Sequence, residues 1–172
     1  RKESSAASDV YKRQGLTTPD PVLLQSRLRA MVDAGQKACA VEASSIGLVE
    51  GRLNACHIRV AVFTNFTQDH LDFHGSMAEY WAAKASLFHW PGLQAAVVNV
   101  DDPQGAELHQ ALKGRPELDC WSVGIERQAR LMARGIAFTD HGMRFEVLEH
   151  DVDGHPLAHG SLALDLIGRY NV

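Results

Sequence analysis

Val60-Ala-Val-Phe-Thr64 runs straight into Asn65-Phe-Thr-Gln-Asp-His-Leu-Asp72. The apolar, β-branched run predicts a buried strand, and the polar cluster lies where that strand ends. Open α/β sheets place their ligands beyond the carboxyl ends of strands. Asp69, His70 and Asp72 are therefore the first candidates for a site. A second acidic element, Glu42-Ala-Ser-Ser45, follows Ala38-Cys-Ala-Val41, which reads as another short buried strand. Two strand ends bearing carboxylate and imidazole groups point to a divalent cation that handles phosphate.

Outward from this stretch, the pattern alternates. Upstream, Asp20 caps a helix with Pro21 at its first position; Leu24, Leu28, Met31 and Val32 recur at helical spacing until Gly35. Gly51-Arg-Leu-Asn54 is a connecting segment. Downstream, Ser76-Met-Ala-Glu79 is a capping box, so a helix starts at Met77 and runs to the Trp90-Pro-Gly92 break. Tyr80, Lys84 and Phe88 share one face of it, which sets a lysine on a partly buried stripe. Ala95–Val100 is a third strand, Asp101-Asp-Pro103 ends it and caps a helix to about Lys113, and Cys120–Val123 is a fourth strand. Strands alternating with helices predict parallel βαβ units. After Gly124 the period changes to two, at Leu131, Ala133, Ile136 and Phe138. Asp140-His-Gly142 is a turn, the alternation resumes at Met143, Phe145 and Val147, and Leu162, Leu164 and Leu166 repeat it. The last third is predicted to be an antiparallel meander.

The 172 residues are 45% hydrophobic, enough for one domain with a proper core. A formal charge of −4 gives no basic footprint for nucleic acid, and no apolar run approaches the ~20 residues of a membrane span. Three cysteines, with Cys39 and Cys120 in apolar runs, read as reduced buried thiols, which fits a cytoplasmic protein. Residues 1–14 are polar and aperiodic and read as a foreign or disordered leader. The end at Tyr170-Asn-Val172, just past an apolar strand, reads as a cut through something longer.

Each candidate has a chemical and a structural reading. Lys84 is either a desolvated amine able to add carbon dioxide and become an anionic oxygen donor, or a lysine snorkelling at the edge of its face. His70 is a cation ligand or a loop histidine bonded to backbone. Glu42, a charge after four apolar residues, faces a cleft or pairs with a cation. Ser44 and Ser45 bind an anion or cap the next turn. Arg52 is a carboxylate clamp or an exposed side chain. Thr17 and Thr18 bind phosphate or amide groups or stabilise a proline turn. Asn99 and the Asp101-Asp102 pair touch a nucleotide or cap a helix. His74 is taken as structural or exposed, and a zinc site of His70, His74 and His89 is rejected because the spacing falls in a loop. Glu146, Glu149, Asp151 and Asp153 read as a solvated hairpin face.

Taken in order, Thr-Thr-Pro, Glu-Ala-Ser-Ser-x-Gly-Leu-x-x-x-Arg, Thr-Asn-x-x-x-Asp-His-Leu-Asp-x-His-Gly, Tyr-x-x-Ala-Lys and Asn-x-Asp-Asp resemble the central domain of the Mur ligases over residues 15–172. Within that family they look like the MurE branch, which adds the third peptide residue. The resemblance implies an α/β fold of the Mur-ligase central ATPase type: a mostly parallel sheet flanked by helices, with a smaller antiparallel meander, here incomplete. It implies an ATP- and Mg²⁺-dependent amide ligase of peptidoglycan synthesis, monomeric at full length. Its substrates are UDP-N-acetylmuramoyl-L-alanyl-D-glutamate and meso-diaminopimelate or lysine. By the same resemblance Thr17, Thr18, Ser44 and Arg52 contact the UDP-muramoyl dipeptide. Lys84 is carbamylated from CO₂, and Glu42 and His70 join it around Mg²⁺, with His70 and Lys84 in the catalytic set. Asn99 and Asp102 approach the adenine nucleotide, and Asn171 falls in a Gly-x-x-Asn segment.

Departures accompany the match. Glu50 stands where the family often has glutamine, Ile46 where it often has histidine, and Leu16 where some members carry asparagine. The Gly-Thr-x-Gly-Lys-Thr phosphate loop, the UDP-binding domain and the amino-acid-selecting domain are not in these 172 residues, so the chain by itself is expected to lack ligase activity. A folylpolyglutamate-synthase-like ligase and a degenerate non-catalytic binding domain are the rival readings.

Overall fold

The computed structural model describes residues 16–151, 153–166 and 168. The leader and the Asn171 segment lie outside the described residues. The chain divides into two compact units, one from residues up to 57 with 68–90, the other from 58–67 with the residues from 91 onward.

The first unit is helical. α1 (Pro21–Asp33) starts as its sequence dictates: Asp20 accepts from the Leu23 N–H at 3.0 Å, and Gly35 takes φ 80 just past the end. Only Leu24 of its apolar positions is buried; Met31 and Val32 are exposed. α2 (Ser45–Val49) is capped by Ser44, and α3 (Leu71–His74) by the backbone of His70. α4 (Met77–Ala85) begins at the Ser76 cap and continues as a 3-10 turn, Ser86–His89, before Trp90 turns extended. α4 packs on α2 and α3. Trp90 Nε1 donates to the Cys56 carbonyl at 3.1 Å and ties the end of this segment to the turn before residue 57.

One expectation fails here. Residues 38–41 form no strand, and all of them are exposed, Cys39 included. A strand persists only when its N–H and C=O groups find a ladder partner. Among the described residues nothing pairs with this run, and Ala, Cys and Ala bury too little apolar area to hold it. Glu42 is therefore delivered by an irregular segment, not a strand end.

The second unit is one six-stranded sheet in sequence order: β1 (Val60–Phe63), β2 (Ala95–Asn99), β3 (Asp119–Gly124), β4 (Leu131–Thr139), β5 (Gly142–His150) and β6 (Pro156–Leu164). β1 to β4 are parallel; β4–β5 and β5–β6 are antiparallel. Ala61, Phe63, Ala96 and Val98 supply the buried face, with Leu108 and Leu112 of α5 (Pro103–Leu112), which packs on β2 and β3. On the other face Val60 and Val62 are exposed. Gly105 is obligatory in α5, because a Cβ there would run into the Asn99 carbonyl and come within 2.7 Å of the Phe63 ring.

The β3–β4 link is short for a parallel pair, which ordinarily needs a crossover of a dozen residues. The strands overlap only at Val123↔Leu131 and Gly124↔Met132, so the chain steps sideways and β4 continues past the end of β3. Asp101 holds the step: its carboxylate accepts from the backbone N–H groups of Ile125, Glu126 and Arg127 at 2.6, 3.1 and 2.7 Å. The meander is thus continuous with the parallel sheet. Its own core is Ala133, Met143 and Phe145, with Ile136, Val147 and Leu164 against them. A register shift between Arg134 and Ala137, at Gly135 with φ 62, breaks the strict alternation, and Met132 is buried as well as Ala133.

Candidate active site in the helical unit

Thr18 is fully buried and organises the first part of the site. Its hydroxyl donates to the Glu42 carbonyl at 2.7 Å, accepts from the Ser44 N–H at 2.8 Å, and lies 3.0 Å from Ser44 Oγ. Ser44 Oγ in turn accepts from the Gly47 N–H at 3.1 Å, closing the start of α2. A Cβ at residue 47 would sit 2.8 Å from Thr18 Cβ, so the glycine of the Ser-Ser-x-Gly motif is what lets Thr18 seat against the helix. Arg52 reaches back to the same point: Nη1 donates to the Thr18 carbonyl at 2.8 Å, Nε donates to Glu50 Oε2 at 2.7 Å, and Nη2 pairs with that oxygen. Expected as a clamp or an exposed side chain, Arg52 is buried and holds a carboxylate of its own chain. Thr17 is exposed.

The second part is built on Tyr80. Its ring is stacked on His74, centroids 5.2 Å apart, meets His70 edge-on at 6.1 Å, and carries Lys84 Nζ 5.2 Å from its centroid. His74 is buried, not exposed, and its Nε2 lies 2.9 Å from Ser45 Oγ, also buried. That bond joins the two parts. Ser44 touches Thr18, its neighbour Ser45 touches His74, and His74 leads through Tyr80 to Lys84 and His70. Sequence spacing gave the Tyr80–Lys84 face but not His74 or Ser45. A histidine and a serine 29 residues apart on two different short helices leave no periodic trace.

His70 is the sole non-glycine residue with positive φ among those described, at 51. A left-handed histidine is sparsely populated, and such residues gather where a side chain must be aimed. Its Nε2 lies 3.4 Å from Asp69 Oδ2. The Glu42 side chain is exposed, while its carbonyl is fixed by Thr18. Half-buried Lys84 offers no anionic oxygen as an amine and two as a carbamate. A carboxylate, an imidazole and a carbamate together would suit a hard divalent cation.

The sheet unit holds the other two candidates, and both are engaged in backbone bonds. Asn99 donates to the Thr64 carbonyl at 2.8 Å and accepts from the Asp101 N–H at 3.0 Å. Asp102 caps α5 through Gln104 and Gly105 and accepts from the Phe66 N–H at 2.8 Å. Among the described residues, Asp151, Asp153 and His155 bring three ligand atoms within 4.8 Å of one another. Asp151 is satisfied there by the N–H groups of Asp153 and His155, at 2.9 and 2.8 Å, and the group closes the β5–β6 turn.

Comparison with known proteins follows the same lines. A family model described as the Mur ligase middle domain matches residues 3–172. A UDP-N-acetylmuramoyl-L-alanyl-D-glutamate–2,6-diaminopimelate ligase of Acidovorax sp. (strain JS42) is 55% identical over 159 residues, covering 92% of this chain and 30% of that protein. The same-named protein of Janthinobacterium sp. (strain Marseille) is 58% identical over 165 residues, covering 92% and 31%. A solved structure bearing that ligase name is 29% identical, with TM-score 0.76 over 89% of this chain and 30% of that one. A MurF structure from Acinetobacter baumannii, 23% identical with TM-score 0.51, shares the fold. The chain thus spans about 30% of the length of the diaminopimelate ligases it matches and 22% of the MurF chain.

Proposed function

The chain belongs to the Mur ligase family, whose middle domain it matches, and from that premise we propose that it is the central part of an ATP-dependent ligase joining meso-diaminopimelate to UDP-N-acetylmuramoyl-L-alanyl-D-glutamate in the cytoplasm, for peptidoglycan synthesis. The observation that carries the reading is the continuous network from Thr18 through Ser44, Ser45, His74 and Tyr80 to Lys84 and His70. It supports a substrate-binding group and a phosphate-handling group being held in fixed relation.

In this reaction the D-glutamate γ-carboxylate takes the terminal phosphoryl group of ATP, giving an acyl phosphate and ADP. The diaminopimelate amine then attacks the acyl carbon, the C–N bond forms, and phosphate leaves. Mg²⁺, when bound, neutralises charge developing on the phosphoryl oxygens. Glu42, His70 and the Lys84 carbamate are its proposed protein ligands. Lys84 acts there as an electrostatic and positioning group and never attacks substrate. The carbamate forms when the neutral amine adds to the carbon of CO₂ and gives up one N–H proton to water. Arg52 and Ser44 hold the dipeptide's anionic groups, with Thr17 and Thr18 at the same end. Asn99 and Asp102, at the carboxyl end of β2, are proposed to approach the nucleotide, acting through the loop they tie down.

Two measurements test this. With ¹³C-bicarbonate, the full-length protein should show a carbamate carbon signal that Lys84→Arg abolishes; its absence in the wild type would remove the Lys84 role. Diaminopimelate-dependent ADP release should require the UDP-muramoyl dipeptide and fall at least about a hundredfold in Lys84→Ala. Release driven instead by a folate substrate would favour the folylpolyglutamate-type reading.

A further inference from the structure

Arg52 is buried, and a buried guanidinium is costly unless its charge is met. In the free chain it is met internally. Nε and Nη2, the edge that takes a carboxylate as a fork, both close on Glu50 Oε2, while Nη1 is spent on the Thr18 carbonyl. The Glu50 side chain is 44% exposed and that of Arg52 only 10%, so the carboxylate lies on the solvent side of the pair. Glu50 is also the residue that ends α2, with Gly51 at φ 67 after it, so its side chain can turn into solvent without disturbing the helix.

We propose that Glu50 is an internal competitor for the substrate carboxylate at Arg52, a residue that sets how tightly this chain holds its anionic substrate. The inference rests on the reading of Arg52 as a substrate-carboxylate ligand. An incoming carboxylate must displace Glu50 from the fork and then share the site with its charge, so affinity is held below what Arg52 alone would give. The same pairing keeps Arg52 neutralised when no substrate is bound. Glu50 therefore stabilises the free protein and weakens the complex. A residue that merely oriented Arg52 would do the first and strengthen the second.

The test compares full-length wild type, Glu50→Gln, Glu50→Asp and Arg52→Lys. Each is titrated calorimetrically with UDP-N-acetylmuramoyl-L-alanyl-D-glutamate at one ionic strength and unfolded in urea without ligand. Glu50→Gln should unfold at lower urea and bind with a Kd lower by about fivefold or more. Glu50→Asp keeps the charge and should stay near the wild-type Kd, which also guards against a folding defect in the glutamine variant. Equal or weaker binding by Glu50→Gln overturns the proposal while leaving the role of Arg52 intact, provided Arg52→Lys binds poorly. Wild-type affinity in Arg52→Lys overturns both.

Discussion

Thr18 shows how one buried hydroxyl can set the geometry of several functional candidates. It fixes the Glu42 backbone and the start of α2, and its carbonyl receives Arg52. Replacing it with valine keeps the shape and leaves the Glu42 carbonyl and the Ser44 N–H without their partner, at a cost of about 1–3 kcal/mol. Urea unfolding of Thr18→Val should show that loss; an unchanged midpoint would mean water or another donor takes over. Asp101 illustrates the opposite outcome for a candidate. Both carboxylates of the Asp101-Asp102 pair are consumed locally, one by the β3–β4 step and the other by the start of α5. Their sequence, a pair of aspartates at a strand end, did not distinguish a cap from a ligand, because the N–H groups that Asp101 binds lie more than twenty residues away.

At the level of elements, α4 carries its own start signal and the face on which the candidates Tyr80 and Lys84 sit. Ser76 accepts from the Glu79 N–H at 3.2 Å, so Ser76→Ala should cost about 1 kcal/mol. Because Tyr80 and Lys84 ride on this helix, the same variant should broaden the carbamate signal proposed for Lys84, and an unaltered signal would show that α2 and α3 alone hold the helix in place. α5 depends on close approach to the sheet. Gly105→Ala pushes a methyl group against the Asn99 carbonyl and Phe63 and should destabilise by about 1–3 kcal/mol, read in thermal unfolding. Retained stability would require α5 to shift off β2. The failed strand at 38–41 belongs to this scale too. Its four apolar residues read as a strand, but they are small, and ladder pairing is a property of neighbours, not of the run itself.

For the whole molecule, pH acts through a few groups spread over the fold. Burial, reinforced by Lys113, holds the His109 imidazole below its usual range. Its contribution is present above the ordinary value of about 6.5 and lost as pH falls through the folded value. Burial pushes the Cys120 and Cys56 thiols up, Cys120 further through Asp119 and Cys56 through Cys39. Their contribution is present below about 8.5 and lost as pH rises through the folded values. Stability should therefore be greatest between about pH 6.5 and 8.5, and His109→Gln should flatten the acid-side slope of the urea midpoint. A variant that keeps the wild-type slope would place the titration elsewhere. Helices α1, α4 and α5, strands β1 to β3, the antiparallel meander after Gly124, the caps at Asp20, Ser76 and Asp102 and the Tyr80–Lys84 face were set by local sequence, because periodicity and capping are short-range. What only the tertiary structure decided is the absence of a strand before Glu42, the Asp101-held step, the Ser45–His74 link, the left-handed His70 and the occupation of Arg52 by Glu50. Apart from Glu50, which lies two residues from Arg52, these depend on partners distant in sequence or on a backbone conformation that no side-chain pattern encodes. Even the Glu50 pair has meaning only because folding buries Arg52.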